Sequence, residues 1–498
     1  MTKAQALEIL FGKLEAIQAL EMAQSLIHWD AATSGVPFKS LADRGAAVGW
    51  IGGEGFRRFM APDTLECVET LEAFDSELSA HERAMVRVIG RQYRKAVSVP
   101  PDEFQAFRAL VAQAEPVWEE ARDKQDFDMI APYYEKIFVY QRRLCDWYGY
   151  EKHPYDALLD DYEIGANVEM LDGFFGALRE RISPLLKGIS QSGIQPKELT
   201  GSFDIEKQKA LMPWLTDFVG YDRTRGKIGE VEHPFCTTIT RDDVRITTKY
   251  HEDNLLSALF STIHESGHAL YEQNMDHVLT RYKLGDGASM GMHESQSRLY
   301  ENMICRSRAF AERLFPKLKD SFDCFAEWDE DMLYKAINIA KPSLIRIEAD
   351  ELTYSLHIMV RYELEKALMS GDIKVGNLPT LWADKYEELL GVRPSNLAEG
   401  VLQDVHWSCG YVGYFPSYAI GTAYGAQMVN TIKKSVDIDA AIRKEDLTPV
   451  TGWLRENVHK HGMTFLPAEI LKEATGEPFN HNYYIDYLSN KFSGIYEL

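Results

Sequence analysis

The sequence predicts a predominantly helical, all-α protein with a small β-hairpin, and three observations lead to this fold class. Over long segments the apolar residues recur three and four positions apart, which is the spacing of one face of a helix. Proline and glycine fall mostly at the junctions between these segments, where they end helices or form turns. Only one stretch alternates Thr, Ile and Val as a strand does. Helix therefore dominates the predicted fold.

The elements are predicted in chain order from this spacing. Helices are expected over residues 2–26, 82–97, 101–128 and 167–190. Residues 99–102 read Val-Pro-Pro-Asp, and a proline followed by an acid is typical of a helix start. The stretch 192–204 is expected to be a surface loop and a possible boundary between subdomains. Residues 236–250 predict the hairpin, with its turn at Arg241-Asp242-Asp243.

Composition narrows the class of function. The chain has 498 residues, 45% of them hydrophobic and 26% charged, which is typical of a globular protein. A formal net charge of -22 and the lack of a Lys/Arg block argue against nucleic-acid binding. No stretch reaches the roughly 18 apolar residues of a membrane span, and the N-terminus resembles an amphipathic helix more than a signal peptide. Six widely spaced cysteines predict reduced thiols and a cytoplasmic location.

The strongest motif is His264-Glu265-Ser266-Gly267-His268, an HExxH pattern inside an apolar helical stripe from residue 253 to 275. Histidines four positions apart lie on one helix face, about 6 Å apart at Cβ. Both imidazoles can therefore bind one metal ion at about 2.1 Å. Glu265 is turned so that it reaches a water molecule instead of the ion, as a general base does. The alternative is an accidental pattern in a helical chain with 14 histidines.

A catalytic zinc site has three protein ligands and leaves one position open, so a further ligand must come from elsewhere in the chain. Glu294 is the best candidate, because it follows a glycine-rich bend and opens a second helical run that can pack against the first. The alternative is that Glu294 only favours the N-terminus of that helix. Glu301 and Glu272 are the fallback ligands.

Six short motifs in this order resemble the carboxypeptidase Taq family of metallopeptidases (M32), also called thermostable carboxypeptidase 1. The resemblance covers most of the chain. The motifs are His233-Pro234-Phe235, DxRxT at 243–247, HExxH at 264–268, His293-Glu294-Ser295-Gln296, IRxxAD at 345–350 and GxxQDxHW at 400–407.

This resemblance implies that Glu294 is the third metal ligand. It implies an all-α fold like that of the neurolysin and angiotensin-converting-enzyme peptidases (gluzincins), as one domain over residues 1–498 with two helical subdomains that flank a deep groove. The implied cofactor is one Zn²⁺ ion per chain, with Co²⁺ as an alternative. The implied substrates are peptides with a free C-terminus, and the implied assembly is a homodimer.

Carboxypeptidase chemistry needs two further kinds of group. A guanidinium can hold the terminal carboxylate in a bidentate manner, and Arg346 is the first candidate, with Arg245 as the second. Both have structural salt bridges as an alternative, for example Arg346 with Asp350. Donors to the oxyanion are expected from Tyr418, Tyr414 and His406, although aromatic residues at this spacing also serve as packing.

The predicted reaction is hydrolysis of the C-terminal peptide bond, with broad side-chain specificity and reluctance next to proline. Glu265 takes the proton of the attacking water and returns it to the leaving amine. Two rival functions remain open. An endopeptidase or dipeptidyl carboxypeptidase of the same superfamily would share the metal motif, and a noncatalytic binding protein would have a closed metal site and no need of Glu265.

Overall fold

The computed structural model describes residues 1–498 and contains twenty-one α-helices. The first ten are Lys3–Thr33 (α1), Leu41–Phe59 (α2), Pro62–Ala73 (α3), Ala80–Ser98 (α4), Pro101–Lys124 (α5), Phe127–Tyr148 (α6), Pro154–Tyr162 (α7), Val168–Gln191 (α8), Ile205–Val219 (α9) and Leu255–Asn274 (α10). The others are Val278–Arg281 (α11), Met290–Arg298 (α12), Arg308–Ser321 (α13), Glu330–Ala336 (α14), Tyr354–Ser370 (α15), Leu378–Leu390 (α16), Pro416–Ile432 (α17), Ile438–Arg443 (α18), Thr448–Asn457 (α19), Pro467–Thr475 (α20) and Asn482–Tyr496 (α21). The prediction of a predominantly helical fold is confirmed.

The predicted helices are all present, and their ends follow local chemistry. Helix α1 starts with a capping box, in which the Thr2 side chain and Gln5 bond each other's backbone N–H groups. The single helix predicted over 101–128 is in fact two elements. Gln125 adopts a left-handed conformation that ends α5, and the Asp126 side chain then caps α6.

One small sheet accompanies the helices. The predicted hairpin is confirmed as β2 (Cys236–Thr240) and β3 (Asp243–Thr248), which pair antiparallel. A third strand that the sequence did not predict, β1 (Ile228–Glu230), pairs parallel with β3. It has only three residues with a central glycine, too short a run for an alternating pattern. The strand order β1-β3-β2 leaves β2 at an edge.

The hydrophobic core is built mainly as one continuous cluster of buried residues between Ala84 and Tyr496. A separate small cluster joins α1, α3 and α4. The C-terminal part of α1 lies on the hairpin, where the ring centroids of Trp29 and Phe235 are 6.0 Å apart. Phe235 thus anchors the turn into the hairpin against α1. None of the helices combines the length and the apolar character needed to cross a bilayer.

Candidate metal centre

Helix α10 carries the two histidines of the HExxH pattern. The Asn254 side chain caps this helix by accepting from the Ser257 N–H, and the helix continues without interruption through both histidines to Asn274. The imidazole centroids of His264 and His268 are 5.0 Å apart. Both Nε2 atoms face one carboxylate oxygen, Oε2 of Glu294, at 3.7 Å from His264 and 3.4 Å from His268.

Helix α12 carries Glu294, and glycines let it lie between α10 and α17. A Cβ atom on Gly267 would stand 2.6 Å from Cα of Ser297 in α12. A Cβ atom on Gly421 of α17 would stand 2.8 Å from Cβ of Glu294. Both distances are far below ordinary van der Waals contact. Two missing side chains therefore permit the helix approach that brings Glu294 to the histidines.

The three ligand atoms fit a divalent metal ion. Two ligands at about 2.1 Å from an ion and at a tetrahedral angle are about 3.4 Å apart. The observed separations of 3.4 and 3.7 Å from Glu294 Oε2 match this value. Nitrogen from two imidazoles with one carboxylate oxygen is a common donor set of catalytic zinc.

The second oxygen of Glu294 is occupied by Arg298, one turn further along α12. Arg298 Nε donates to Glu294 Oε1 at 2.7 Å, and Oε2, which accepts from the Ser297 hydroxyl at 3.2 Å, is the oxygen that faces the histidines. Burial opposes ionisation of Glu294, but Arg298 and the two histidines hold its pKa far below the usual range. The carboxylate is therefore ionised, as a metal ligand must be.

The two fallback ligands, Glu301 and Glu272, lie behind the histidines and not beside Glu294. Glu301 Oε2 is 2.8 Å from His264 Nδ1, on a π-helical turn from Leu299 to Ile304 that continues α12. Glu272 Oε1 is 2.9 Å from His293 Nε2, and His293 Nδ1 is 2.6 Å from His268 Nδ1. These acids orient the imidazoles through hydrogen bonds, an arrangement common behind metal-binding histidines.

Glu265 is buried beside the three ligand residues, with 7% of its surface exposed. No protein hydrogen bond holds its carboxylate. Burial raises the pKa of Glu265 to about 7, only partly offset by the neighbouring His264. A carboxylate with a pKa near neutrality can both take up and release a proton at neutral pH.

Arg346 is buried and shares one carboxylate with a second arginine. Its Nε and Nη2 donate to Asp404 Oδ1 at 3.0 and 2.8 Å, and its Nη1 donates to the Tyr354 hydroxyl at 3.2 Å. Arg361, fully buried, donates from Nε to Asp404 Oδ2 at 2.8 Å. Two guanidinium charges thus face one carboxylate charge. The alternative partner suggested by the sequence, Asp350, is wrong, because Asp350 instead accepts from the Thr353 and Lys341 N–H groups.

Arg245 lies on β3 and is already paired. Its Nε and Nη2 donate to the two oxygens of Asp243 at 2.7 and 2.6 Å, and its guanidinium stacks on Trp29 at 5.2 Å. The salt-bridge alternative that the sequence left open is therefore present. Its charge is balanced one-to-one by Asp243, whereas Arg346 is also salt-bridged but shares Asp404 with Arg361.

The three oxyanion candidates lie in one aromatic group. The Tyr414 centroid is 5.3 Å from that of Tyr418 and 5.4 Å from that of His406. Burial, and to a smaller extent the nearby Glu294 carboxylate, raises the pKa of both tyrosines. His406 faces the arginine cluster instead, where burial lowers its pKa to about 4. Its Nδ1 is buried and has no hydrogen-bond partner.

Sequence reasoning missed four residues of this centre: Gly267, Arg298, His293 and Asp404. A weak signal existed for each of them, which for His293 was its place directly before Glu294 in one of the six motifs. Glycine inside a helical motif has a packing reason more often than not, and Arg298 stands four residues after Glu294, the spacing of a helical ion pair. For Asp404 the GxxQDxHW motif marked the residue but not its partners.

A helical fold with two histidines and a carboxylate arranged around one metal position defines a helical metallopeptidase. The chain belongs to the Carboxypeptidase Taq (M32) metallopeptidase family, whose model matches residues 10–492. It is thus a metal-dependent carboxypeptidase, a peptide hydrolase.

Named relatives and a solved structure are similar to this chain over nearly its whole length. Carboxypeptidase 1 of Bacillus subtilis (strain 168) is 43% identical over 493 residues, 98% of each chain. Thermostable carboxypeptidase 1 of Pyrococcus furiosus is 35% identical, also over 98% of each. The crystal structure of an M32 carboxypeptidase from Deinococcus radiodurans R1 superposes with a TM-score of 0.95 at 34% identity, covering 99% of this chain and 100% of that one.

Proposed function

We propose that this enzyme removes single amino acids from the free C-terminus of peptides, with Zn²⁺ as its ion and Co²⁺ as an alternative, one ion per chain. The observation that carries the proposal is the excess positive charge at Arg346, Arg361 and Asp404. A buried charge without a partner is costly, and the C-terminal carboxylate of a substrate would supply that partner. Endopeptidases need no such group.

Tyr354 connects this charge to the metal centre. Its hydroxyl accepts from Arg346, and its ring lies under the guanidinium of Arg298 at 4.4 Å. Arg298 in turn holds the metal ligand Glu294. The proposed carboxylate anchor contacts the hydroxyl of Tyr354, and the arginine that holds the metal ligand lies over its ring. This proximity fits a substrate whose last peptide bond lies at the metal while its terminus lies at Arg346.

Arg346 keeps donors for a substrate. Three of the five guanidinium N–H groups are used by Asp404 and Tyr354, which leaves two for a carboxylate. Arg245 also keeps donors, but its charge is already balanced by the bidentate bond to Asp243, whereas two arginines share the single charge of Asp404. We therefore assign the anchor to Arg346 and retain Arg245 as a neighbouring substrate contact.

His264, His268 and Glu294 hold the metal in this proposal. When bound, the metal polarises the scissile carbonyl and acidifies water. Glu265 takes the proton of the attacking water and delivers it to the leaving amine, for which a pKa of about 7 is suited. Tyr418 donates to the developing oxyanion, with Tyr414 beside it, because both lie near Glu294. The unpartnered Nδ1 makes His406 a further candidate donor.

Several features of the proposal go beyond the site. The large core between Ala84 and Tyr496 supports one catalytic domain, which we extend to residues 1–498 as two helical subdomains that flank a deep groove. Broad side-chain specificity, reluctance next to proline, a homodimer and a cytoplasmic location complete the proposal.

The experiment that tests it uses a plain peptide and its C-terminally amidated twin. Each is incubated with Zn²⁺-loaded protein and with a chelated control, and the products are identified by mass spectrometry. Metal-dependent, stepwise loss of single residues from the free acid alone is expected. Internal cuts or release of dipeptides would replace the proposal with an endopeptidase or dipeptidyl carboxypeptidase. No cleavage of varied peptides would favour a noncatalytic binding protein.

A further inference from the structure

Three side chains form a chain of hydrogen bonds behind His268, on the side away from Glu294. His268 Nδ1 is 2.6 Å from His293 Nδ1, and His293 Nε2 is 2.9 Å from Glu272 Oε1. The other oxygen of Glu272 accepts from Arg241 Nη2 at 2.7 Å and from the Thr238 hydroxyl at 3.0 Å. The Arg241 and Glu272 side chains are only 10% and 5% exposed.

The chemistry of each member fixes the direction of every hydrogen bond. If His268 offers the Nε2 lone pair to a metal, its proton must be on Nδ1, and His293 Nδ1 must accept that proton's hydrogen bond. A neutral imidazole has one donor and one acceptor, so the proton of His293 is on Nε2 and is donated to Glu272. Ionised Glu272 can only accept, and Arg241 can only donate. Every direction is therefore fixed: His268 donates to His293, His293 donates to Glu272, and Arg241 donates to Glu272 from the other side.

We propose that His293 and Glu272 are positioning residues that fix the tautomer of His268 and so present its Nε2 lone pair to the metal, while Arg241 pairs with the far oxygen of Glu272. This inference rests on the proposed metal site. His264 needs no such chain, because its Nδ1 meets the carboxylate of Glu301 directly. The asymmetry makes the affinity for metal sensitive to residues that never touch the ion.

One competing interpretation uses the same residues. Ligand atoms of Glu272, Asp286 and His293 lie within 4.8 Å of one another, as they would around a second cation. The guanidinium of Arg241 already places a positive charge on Glu272, which disfavours a second cation there. The two interpretations differ in the number of ions bound per chain.

Glu272→Gln tests the polarity with almost no change of shape. Because Arg241 can only donate, the new amide turns its oxygen toward Arg241 and its NH₂ group toward His293. His293 Nε2 must then accept, so its proton moves to Nδ1 and faces His268. The proton of His268 moves in turn to Nε2, the ligand atom. We expect the affinity for Zn²⁺ to fall by about 10- to 100-fold, the range for residues behind metal ligands.

Adding Arg241→Met to Glu272→Gln should restore the affinity for Zn²⁺, which a merely structural role of these residues would not predict. Without the guanidinium, the amide can turn its oxygen to His293 and its NH₂ group to Thr238, which restores the original polarity. We expect the double variant to regain affinity to within about threefold of the wild type, and Arg241→Met alone to stay in that range, because Glu272 still accepts from His293.

The measurement is equilibrium competition for Zn²⁺ with a chromophoric chelator, accompanied by thermal melts of the metal-free proteins. One ion per wild-type chain, loss in Glu272→Gln and recovery in the double variant are expected. Equal losses of Zn²⁺ affinity in Glu272→Gln and in the double variant would overturn the proposal that this chain of hydrogen bonds fixes the tautomer of His268. A second ion that disappears in Glu272→Gln would overturn it in favour of a second metal site. A wild type that binds no ion at all would refute the proposed metal site itself, before any variant is made.

A second pair of variants tests the middle link independently of Glu272. His293→Asn offers a carbonyl oxygen near the position of Nδ1, whereas His293→Leu has similar bulk and no acceptor. We expect the asparagine variant to bind Zn²⁺ at least tenfold more tightly than the leucine variant. Equal affinities of the two would show that His293 only fills space.

Discussion

Gly267→Ala tests whether the approach of α10 to α12 assembles the metal centre. The added Cβ atom would meet backbone atoms of α12, namely Cα of Ser297 at 2.6 Å, O of Gln296 at 2.7 Å and N of Ser297 at 2.9 Å. Ordinary contact begins at 3.4 Å, so 2.6 Å leaves a deficit of 0.8 Å. Backbone atoms inside a packed helix cannot rotate away, and the two helices must therefore separate.

The expected losses of metal affinity and of stability follow from this separation of the two helices. The distance of 3.4 Å between His268 Nε2 and Glu294 Oε2 would grow beyond about 4 Å, more than two ligands of one tetrahedral ion span. We expect the affinity for Zn²⁺ to fall at least tenfold, because a site that is about 1 Å too loose loses its function. Overpacking costs about 1–3 kcal/mol of unfolding free energy, against a gain of about 1 kcal/mol from the helix propensity of alanine.

The assay pairs this variant with Gly173→Ala in α8, where an added Cβ meets no atom within 4 Å. Urea unfolding of the metal-free proteins measures stability, and chelator competition measures metal affinity. The control is expected to be neutral or slightly stabilised and to bind metal as the wild type does. If Gly267→Ala matched the control in both measurements, the close helix approach would not be what assembles the site.

Three further predictions concern catalysis and pH. Glu265→Gln should lower kcat for peptide cleavage by at least about 100-fold. Elemental analysis should still find one metal ion per chain. Turnover at the wild-type rate would show that Glu265 takes no part in the reaction. Arg346→Met should lower kcat/KM on free-acid peptides by about 100-fold, as expected for loss of a buried charge-assisted bond. Asp404 stays paired to Arg361 in this variant. A larger loss in Arg245→Met would make Arg245 the carboxylate anchor. Burial raises the pKa of Glu163 to about 7, so the protonated carboxyl group favours the folded state. This contribution of about 3 kcal/mol to the free energy of unfolding is fully present below pH about 4.5 and is lost as the pH rises through about 7. Glu163→Gln should remove this share of the pH dependence in melts from pH 4 to 8, and an unchanged slope would contradict it.

The metal-binding histidines and most helices could be predicted because their signals are local. His264 and His268 stand four residues apart, and helix geometry alone places them on one face. The hairpin from Cys236 to Thr248 followed in the same way from alternation. The six motifs pointed to the M32 family, and the match over residues 10–492 confirmed it.

The contacts between residues far apart in sequence were decided by tertiary packing. The glycine-rich bend made Glu294 the best candidate ligand, but spacing alone could not exclude Glu301 on the following helical run or Glu272, four residues after His268 on α10. Only the close contact of α12 with Gly267 and Gly421 puts Glu294 in front of the imidazoles and the other two acids behind them. Likewise, Asp404 lies 58 residues from Arg346, and no local pattern predicts that pair. A sequence determines which face of each helix is apolar, but which faces meet depends on the packing of the whole core.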